Sequence, residues 1–451
     1  MTTLSTVDEA APQPMTDRRE RVGWYFYDWA NSAFPTTVVT VFFGPYLGDI
    51  ADRAADAHGR VHPLGIPVAA GSLFPYTVSL SVLLTVVVLP VTGAIADRSS
   101  HKKQLLALFT YLAAGCCLAM FFLTGTRYLF GAGLLLVANI AFGAASVVYN
   151  SFLPQIAGPD ERDRVSSLGW AIGYIGGGLL LALNVVAVQV GGEEHKALIA
   201  RYCLVSAGIW WAAFTTIPLV RLRNRPAVAG EHARGHVLTD GFVQLGRTLR
   251  GLKAYPLTLF FLIAYLVYND GIQTVISQAA VYADKQLRLP QSVQVETILM
   301  VQFLAFAGAL VLGRIADRVG AWKTVLGSLV IWTVTLGLAY ILPVGRALPF
   351  VGLGALIGIV LGGSQALSRS LFSQLIPHGR EAEYFGLYEI CSDGTSWLGP
   401  LLFGLTFQLT GSYQYAIISL LVFFIAGFLA LLAVPMRRAI AAAGNVPPRL
   451  V

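Results

Sequence analysis

Twelve stretches of this chain run for about twenty residues each with almost no charge: roughly 22–47, 72–95, 103–123, 129–150, 167–190, 200–220, 257–281, 295–315, 323–342, 347–372, 384–407 and 413–435. A helix rises about 1.5 Å per residue, so about twenty residues cross the ~30 Å of hydrocarbon in a bilayer. Lipid offers no hydrogen bonds, and a spanning segment must satisfy its own backbone as a helix or join a closed barrel. The runs are continuously apolar rather than alternating, which excludes the barrel. Only 12% of residues are charged, 56% are hydrophobic and the mean hydropathy is +0.66, whereas soluble domains carry about 25% charged residues. The expected fold is an all-α membrane protein of twelve transmembrane helices.

An even number of spans puts both chain ends on one side. Under that arrangement Arg53, Arg60, Arg127, Lys196, Arg201, Lys285, Arg288 and Arg346 fall on the opposite side, and the other 23 of the 31 Lys and Arg residues share the side of the ends. By the positive-inside rule that side is the cytoplasm. The expected organisation is a cytoplasmic N-terminal tail (1–21), a six-helix half (22–220), a basic linker (221–256), a second six-helix half (257–435) and a cytoplasmic tail (436–451). No small-residue cleavage site follows a short apolar region, so the first span is expected to be retained, in a cell membrane.

The net charge of +7 sits in loops without interleaved aromatics, so a nucleic-acid partner is not expected. Cys116, Cys117, Cys203 and Cys391 fall in spans without CxxC spacing and read as small buried hydrophobes, with neither a disulfide, a metal site nor a cofactor expected. No lysine follows a glycine, which excludes an ATP-binding phosphate loop, and HExxH and GxSxG are absent. An enzyme is not expected. The partners are a small-molecule solute, the surrounding lipid and protons as a coupling ion, and a monomer suffices.

Three strings recur in the same order in both halves. "YDWANS" at 27–32 answers "YNDGIQ" at 268–273, "GAIADRSSHKK" at 93–103 answers "GRIADRVGAWK" at 313–323, and "NSFLPQI" at 150–156 answers "RSLFSQLIP" at 369–377. Six plus six spans related by repeat suit a transporter that rocks two halves about a central site. The second pair resembles the loop motif G-x-x-x-D-R-x-G of the major facilitator superfamily, with Ser100 standing where the first copy's second glycine belongs. "YDWANSAF" in the first span closely resembles the signature of that superfamily's vacuole-effluxer-like branch, related to the autophagy-linked amino-acid effluxers of fungal vacuoles. The resemblance implies the major facilitator fold, with two pseudo-symmetric halves and a cavity lined by spans one, four, seven and ten. It also implies amino acids or similar small polar metabolites as substrates. In the motif, Gly93 and Gly313 would let a helix end approach a neighbour. Asp97 and Asp317, followed by Arg98 and Arg318, would meet a helix N-terminus or an Arg across the seam and favour the state closed to the cytoplasm.

Ionisable groups in hydrocarbon usually face a cavity and mark a pathway. Asp28, Asn31 and Pro35 follow helical spacing in span one, and Asp270, Gln273, Thr274 and Ser277 do so in span seven beside Asn269. Asn139, Ser146 and Asn150 stripe span four, Gln365 and Arg369 span ten, and Glu389, Asp393 and Ser396 span eleven. Asp28 and Asp270 are read as equivalent cavity groups, one from each half. Arg369, Glu389 and Asp393 fit a binding site, a gate or a structural ion-pair cluster, and Asn150 fits either ligand contact or interhelical bonding. Trp24, Tyr25, Tyr27 and Trp29 fit an interfacial belt or stacking partners.

The function expected from these features is secondary active transport of a small polar, amino-acid-like solute by alternating access. Arg369 would hold a carboxylate, an aspartate an ammonium, and a buried carboxylate a coupling proton. An exporter of lipophilic cations and a non-transporting sensor with a transporter fold are the alternatives, the latter using the basic linker to dock a partner or anionic lipid.

Overall fold

Pro35 breaks the first expected span. A proline has no N–H to donate and its ring collides with the carbonyl four residues back. In the computed structural model the span is accordingly three pieces: a helix Arg18–Asn31, a π-wound segment Phe34–Phe42 and a helix Phe43–Ala54. Thr36 donates its hydroxyl to the Ser32 carbonyl at 2.6 Å, and Thr40 to that of Pro35 at 2.8 Å. The structure describes residues 17–226, 251, 254–394 and 398–451.

Among these residues ten helices are long and apolar enough to cross a membrane: 70–98, 102–122, 128–156, 162–191, 196–221, 256–286, 291–319, 321–340, 347–374 and 413–432. Ten such helices stand against the expected twelve, and the first and eleventh expected spans are interrupted in their helical winding. The eleventh runs as Glu381–Glu389, a π-wound Ile390–Gly394 and Leu398–Thr410. Below, helices keep the order of the twelve expected spans. Among the described residues the regular structure is helical apart from one antiparallel hairpin between the first two, where Arg60–Val61 pairs with Val68–Ala69.

One apolar cluster runs from Phe261 to Ile440 and belongs to the second half. Two others, around Leu47, Ala138 and Trp211 and around Tyr149, Phe152 and Val165, hold the first half. Leu83, Leu183, Val186, Ile209 and Leu348 lie exposed on the outer faces, as lipid-facing side chains do. The halves meet along two seams. The fifth helix packs against the eighth and tenth, and the start of the eleventh packs against the second and fourth.

Both described ends of the chain lie at one end of the bundle, called here the basic end. Arg21 pairs with Glu161 of the fourth-to-fifth connection, and the Arg449 backbone N–H donates to Asp160 at 2.8 Å. The sixth helix runs to Arg221, and the chain then folds back on the first: buried Glu20 accepts from the Arg223 N–H at 2.8 Å and pairs with Arg225 at 2.7 Å. The rest of the expected linker, 227–250 and 252–253, lies outside the described residues. The tail expected at 436–451 includes a short helix, Met436–Ala442.

Candidate functional site

Asp28 and, through Asn150, Glu389 converge on Arg369. It lies on the tenth helix, and its guanidinium is buried among groups of the first half. Its Nη1 and Nη2 each donate to Asp28 Oδ2 at 3.3 Å, and Nη1 also donates to Asn150 Oδ1 at 3.3 Å. Nε donates to Ser166 Oγ at 2.9 Å and Nη2 to the Ser166 carbonyl at 3.0 Å. Asn150 in turn donates through Nδ2 to Glu389 Oε1 at 2.6 Å. Four helices, the first, fourth, fifth and tenth, plus the start of the eleventh, thus share one buried polar network that crosses between the halves. A buried charge is tolerated only when paired and hydrogen-bonded, and each charge here has such a partner.

A missing side chain makes the approach possible. Gly169 faces the pair so closely that a Cβ there would sit 2.5 Å from the Trp24 ring, 2.7 Å from Asp28 Oδ2 and 3.2 Å from Arg369 Nη2. Trp24 is fully buried, stacks on Tyr149 with ring centres 4.6 Å apart, and lies 4.6 Å under the Arg369 guanidinium. Tyr27 is equally buried and bonds Thr110 at 2.9 Å. These two aromatics therefore pack inside the protein rather than at a membrane interface.

Around the network, bonds across the seam cluster at the basic end. Buried Arg162 donates to the Ser373 carbonyl at 2.8 Å, Ser166 Oγ to the Ala366 carbonyl at 2.6 Å, Ser370 to Asp163, and Gln374 to the Pro159 carbonyl at 2.8 Å. Asp97 accepts the N–H groups of Ala382 at 2.9 Å and Glu383 at 2.8 Å, first-turn donors at the start of the eleventh helix, and pairs with Lys102 at 3.0 Å. A carboxylate placed there satisfies orphan N–H groups and meets the positive end of the helix dipole. Gly93 lies against the Ala382 carbonyl, where any Cβ would collide with it. The second copy of the motif is built differently. Gly313 abuts Ser167 of the fifth helix, but Asp317 and Arg318 are exposed, and the fifth helix carries its own first-turn acid, Asp163. Arg98 is exposed as well.

Other expected site residues lie outside the network. Asn269 and Asp270 are buried within the second half, where Asn269 donates to the Ser392 carbonyl at 2.8 Å. Neither carboxylate oxygen of Asp270 has a side-chain hydrogen-bond partner among the described residues. The repeat equates Asp28 with Asp270, but only Asp28 meets the arginine. Asn31 and Gln365 are buried and Gln273 is half-buried. The Asp393 side chain lies outside the described residues.

Arg162, Asp163 and Ser166 escaped sequence reading because the fifth span was begun at 167, whereas the helix starts at Arg162; Gly169 and Trp170 lay within that span but carry no charge to mark them. A signal was present: Arg162, Ser166 and Trp170 recur at i, i+4 and i+8 on one face.

The fold and this buried inter-half network define a transporter of the major facilitator type. The chain is similar in structure to the major facilitator proton:xylose symporter XylE, with a TM-score of 0.67 and 12% identity over 91% of this chain and 94% of that one. A bacterial homologue of the iron transporter ferroportin in an outward-facing state gives 0.65 and 14% identity over 92% and 98%. The chain belongs to the family described as vacuole effluxer Atg22 like, whose pattern matches residues 16–444. It is 27% identical over 423 residues to the uncharacterized MFS-type transporter YxiO of Bacillus subtilis, covering 92% of this chain and 95% of YxiO. It is 28% identical over 525 residues to Autophagy-related protein 22 of Coccidioides immitis, covering 92% and 85%.

Proposed function

We propose that this protein is a secondary active transporter that moves a small polar, amino-acid-like solute by alternating access, coupled to protons, across a cell membrane with both chain ends in the cytoplasm. The observation that carries the reading is the ion pair between Asp28 of the first half and Arg369 of the second. It joins the halves in the membrane interior, so opening the basic end must break it. Removing one partner from a buried pair costs about 3–5 kcal/mol, because the charge left behind is uncompensated. A solute carboxylate replacing Asp28 at Arg369, or a cation replacing Arg369 at Asp28, would offset that cost, which couples binding to opening. Asn150 relays the same event to Glu389, a carboxylate suited to accepting a proton, and buried Asp270 is a second candidate for it. The lysine and arginine asymmetry supports the orientation.

The test is flux in proteoliposomes bearing an imposed proton gradient, with a panel of amino acids and small organic ions outside and a trapped pH dye inside. A solute whose flux moves with protons, lost in Asp28→Asn and Arg369→Gln, is expected. Flux indifferent to both substitutions, or no flux of any polar solute, would sink the reading.

A further inference from the structure

Among the described residues, every hydrogen bond that the Arg369 guanidinium donates ends on the first half: on Asp28 Oδ2, Asn150 Oδ1, Ser166 Oγ and the Ser166 carbonyl. The three rings that it lies over belong to the first half too. Its Cζ lies 4.6 Å from the centre of Trp24, 5.3 Å from Trp170 and 5.8 Å from Tyr149. Aromatic faces grouped about a carboxylate form a receptor for an organic cation, and a planar guanidinium uses both stacking and a fork of donors.

The receptor is held together without the arginine. Trp24 and Tyr149 stack nearly parallel at 16°, Tyr27 packs on Tyr149 at 4.6 Å, and the Trp24 indole N–H donates to the Tyr149 carbonyl at 3.1 Å. Trp170 rests on Tyr174 at 5.6 Å. When the halves part at the basic end, the tenth helix withdraws Arg369 and leaves this cage with an unpaired buried carboxylate. An uncompensated charge there is strongly unfavourable, so the vacated cage favours a proton or another cation, and its aromatic faces favour an organic one.

We propose that the first half carries a guanidinium-binding cage, formed by Trp24, Asp28, Tyr149, Ser166 and Trp170, which Arg369 occupies as a built-in surrogate. The transported solute is then a small hydrophilic cation bearing a guanidinium or a similarly planar cationic group, and it takes the place of Arg369 in the open state. The inference rests on the transport reading above and narrows its substrate class.

The test is equilibrium binding to the full-length protein in detergent, by calorimetry, with arginine, agmatine, citrulline and tetraphenylphosphonium as ligands. Citrulline has the shape of arginine without the charge, and agmatine has the guanidinium without the carboxylate. Arginine and agmatine are expected to bind, and citrulline to bind at least about tenfold more weakly. Arg369→Gln removes the competitor and should tighten agmatine about tenfold or more. Adding Trp24→Leu in that background should weaken it again by about 2- to 30-fold. Citrulline matching arginine in the unsubstituted protein would overturn the proposal without any variant. So would preference for tetraphenylphosphonium, absence of guanidinium binding in both proteins, or loss of agmatine binding in an Arg369→Gln protein that still unfolds at the parent's temperature. Proton-linked flux of an uncharged or purely anionic solute would overturn the cage alone and leave the transport reading standing.

Discussion

Asp97 offers a quantitative handle on the closed basic end. Its carboxylate accepts two backbone N–H groups at the start of the eleventh helix, from Ala382 at 2.9 Å and Glu383 at 2.8 Å, and pairs with Lys102 at 3.0 Å. In Asp97→Asn one oxygen survives as a neutral acceptor, while the amide NH2 faces an N–H that it cannot accept. Hydrogen bonds to a charged group contribute about 1.5–3 kcal/mol each, and those between neutral groups about 1. One charged bond is lost and one weakened, so the contact between the second and eleventh helices loses about 2 kcal/mol or a little more. A difference of about 2 kcal/mol is roughly a 30-fold shift in an equilibrium constant. The readout is a cysteine at Ser373, a buried seam position whose carbonyl accepts from Arg162. In protein freed of its four native cysteines, Ser373→Cys should react with a membrane-impermeant maleimide about ten to thirty times faster when Asp97→Asn is added. A rate within about threefold of the parent, in a variant that still unfolds at the parent's temperature, would refute the reasoning that this cap holds the seam shut.

Gly169→Ala should push apart Trp24, Asp28 and Arg369, at the overpacking cost of about 1–3 kcal/mol; thermal unfolding in detergent should fall and flux should drop with it, whereas Gly404→Ala, where a Cβ meets nothing within 4 Å, should do neither. Deleting residues 445–451 removes the Asn445 side-chain bonds to the Gln374 and Ile376 carbonyls, at 2.8 Å each, and the Arg449 contact with Asp160 across the halves; labelling at Ser373→Cys should accelerate, and an unchanged rate would exclude the tail as a strap. In the exposed loop before the second helix, hydrogen bonds from His62 first and then from the Arg60 and His58 backbones hold the Asp56 carboxyl down to about 2. A depressed folded value means that this contribution is complete above the unfolded value of about 3.9 and is lost as pH falls through about 2. Hydrogen exchange of the Arg60 amide should therefore be protected at pH 5, lose protection toward pH 2, and be unprotected throughout in Asp56→Ala.

Much of this protein is written in one dimension. Apolar runs of about twenty residues place helices because hydrocarbon penalises any unsatisfied backbone group, whatever the neighbours are. An even number of apolar runs predicts that the chain ends lie together, and the twin aspartate–arginine loops betray the repeat. Asp28, Asn150, Arg369 and Glu389 stood out as polar groups in apolar surroundings. Their pairing did not: Asp28 and Arg369 are 341 residues apart, and the repeat pointed to Asp270 instead. The two similar loop motifs also diverge in three dimensions, with Asp97 capping a helix and Asp317 exposed. Hydropathy registers whether a helix is apolar and is blind to which face it turns toward which neighbour. In lipid that choice falls to close packing at small residues such as Gly93 and Gly169, which act only once two helices are already side by side. The sequence alone therefore determined where most of the helices fall and that the chain ends lie together, whereas the breaks within the first and eleventh, the rotation of each helix, and with it the site, were seen only in the tertiary structure.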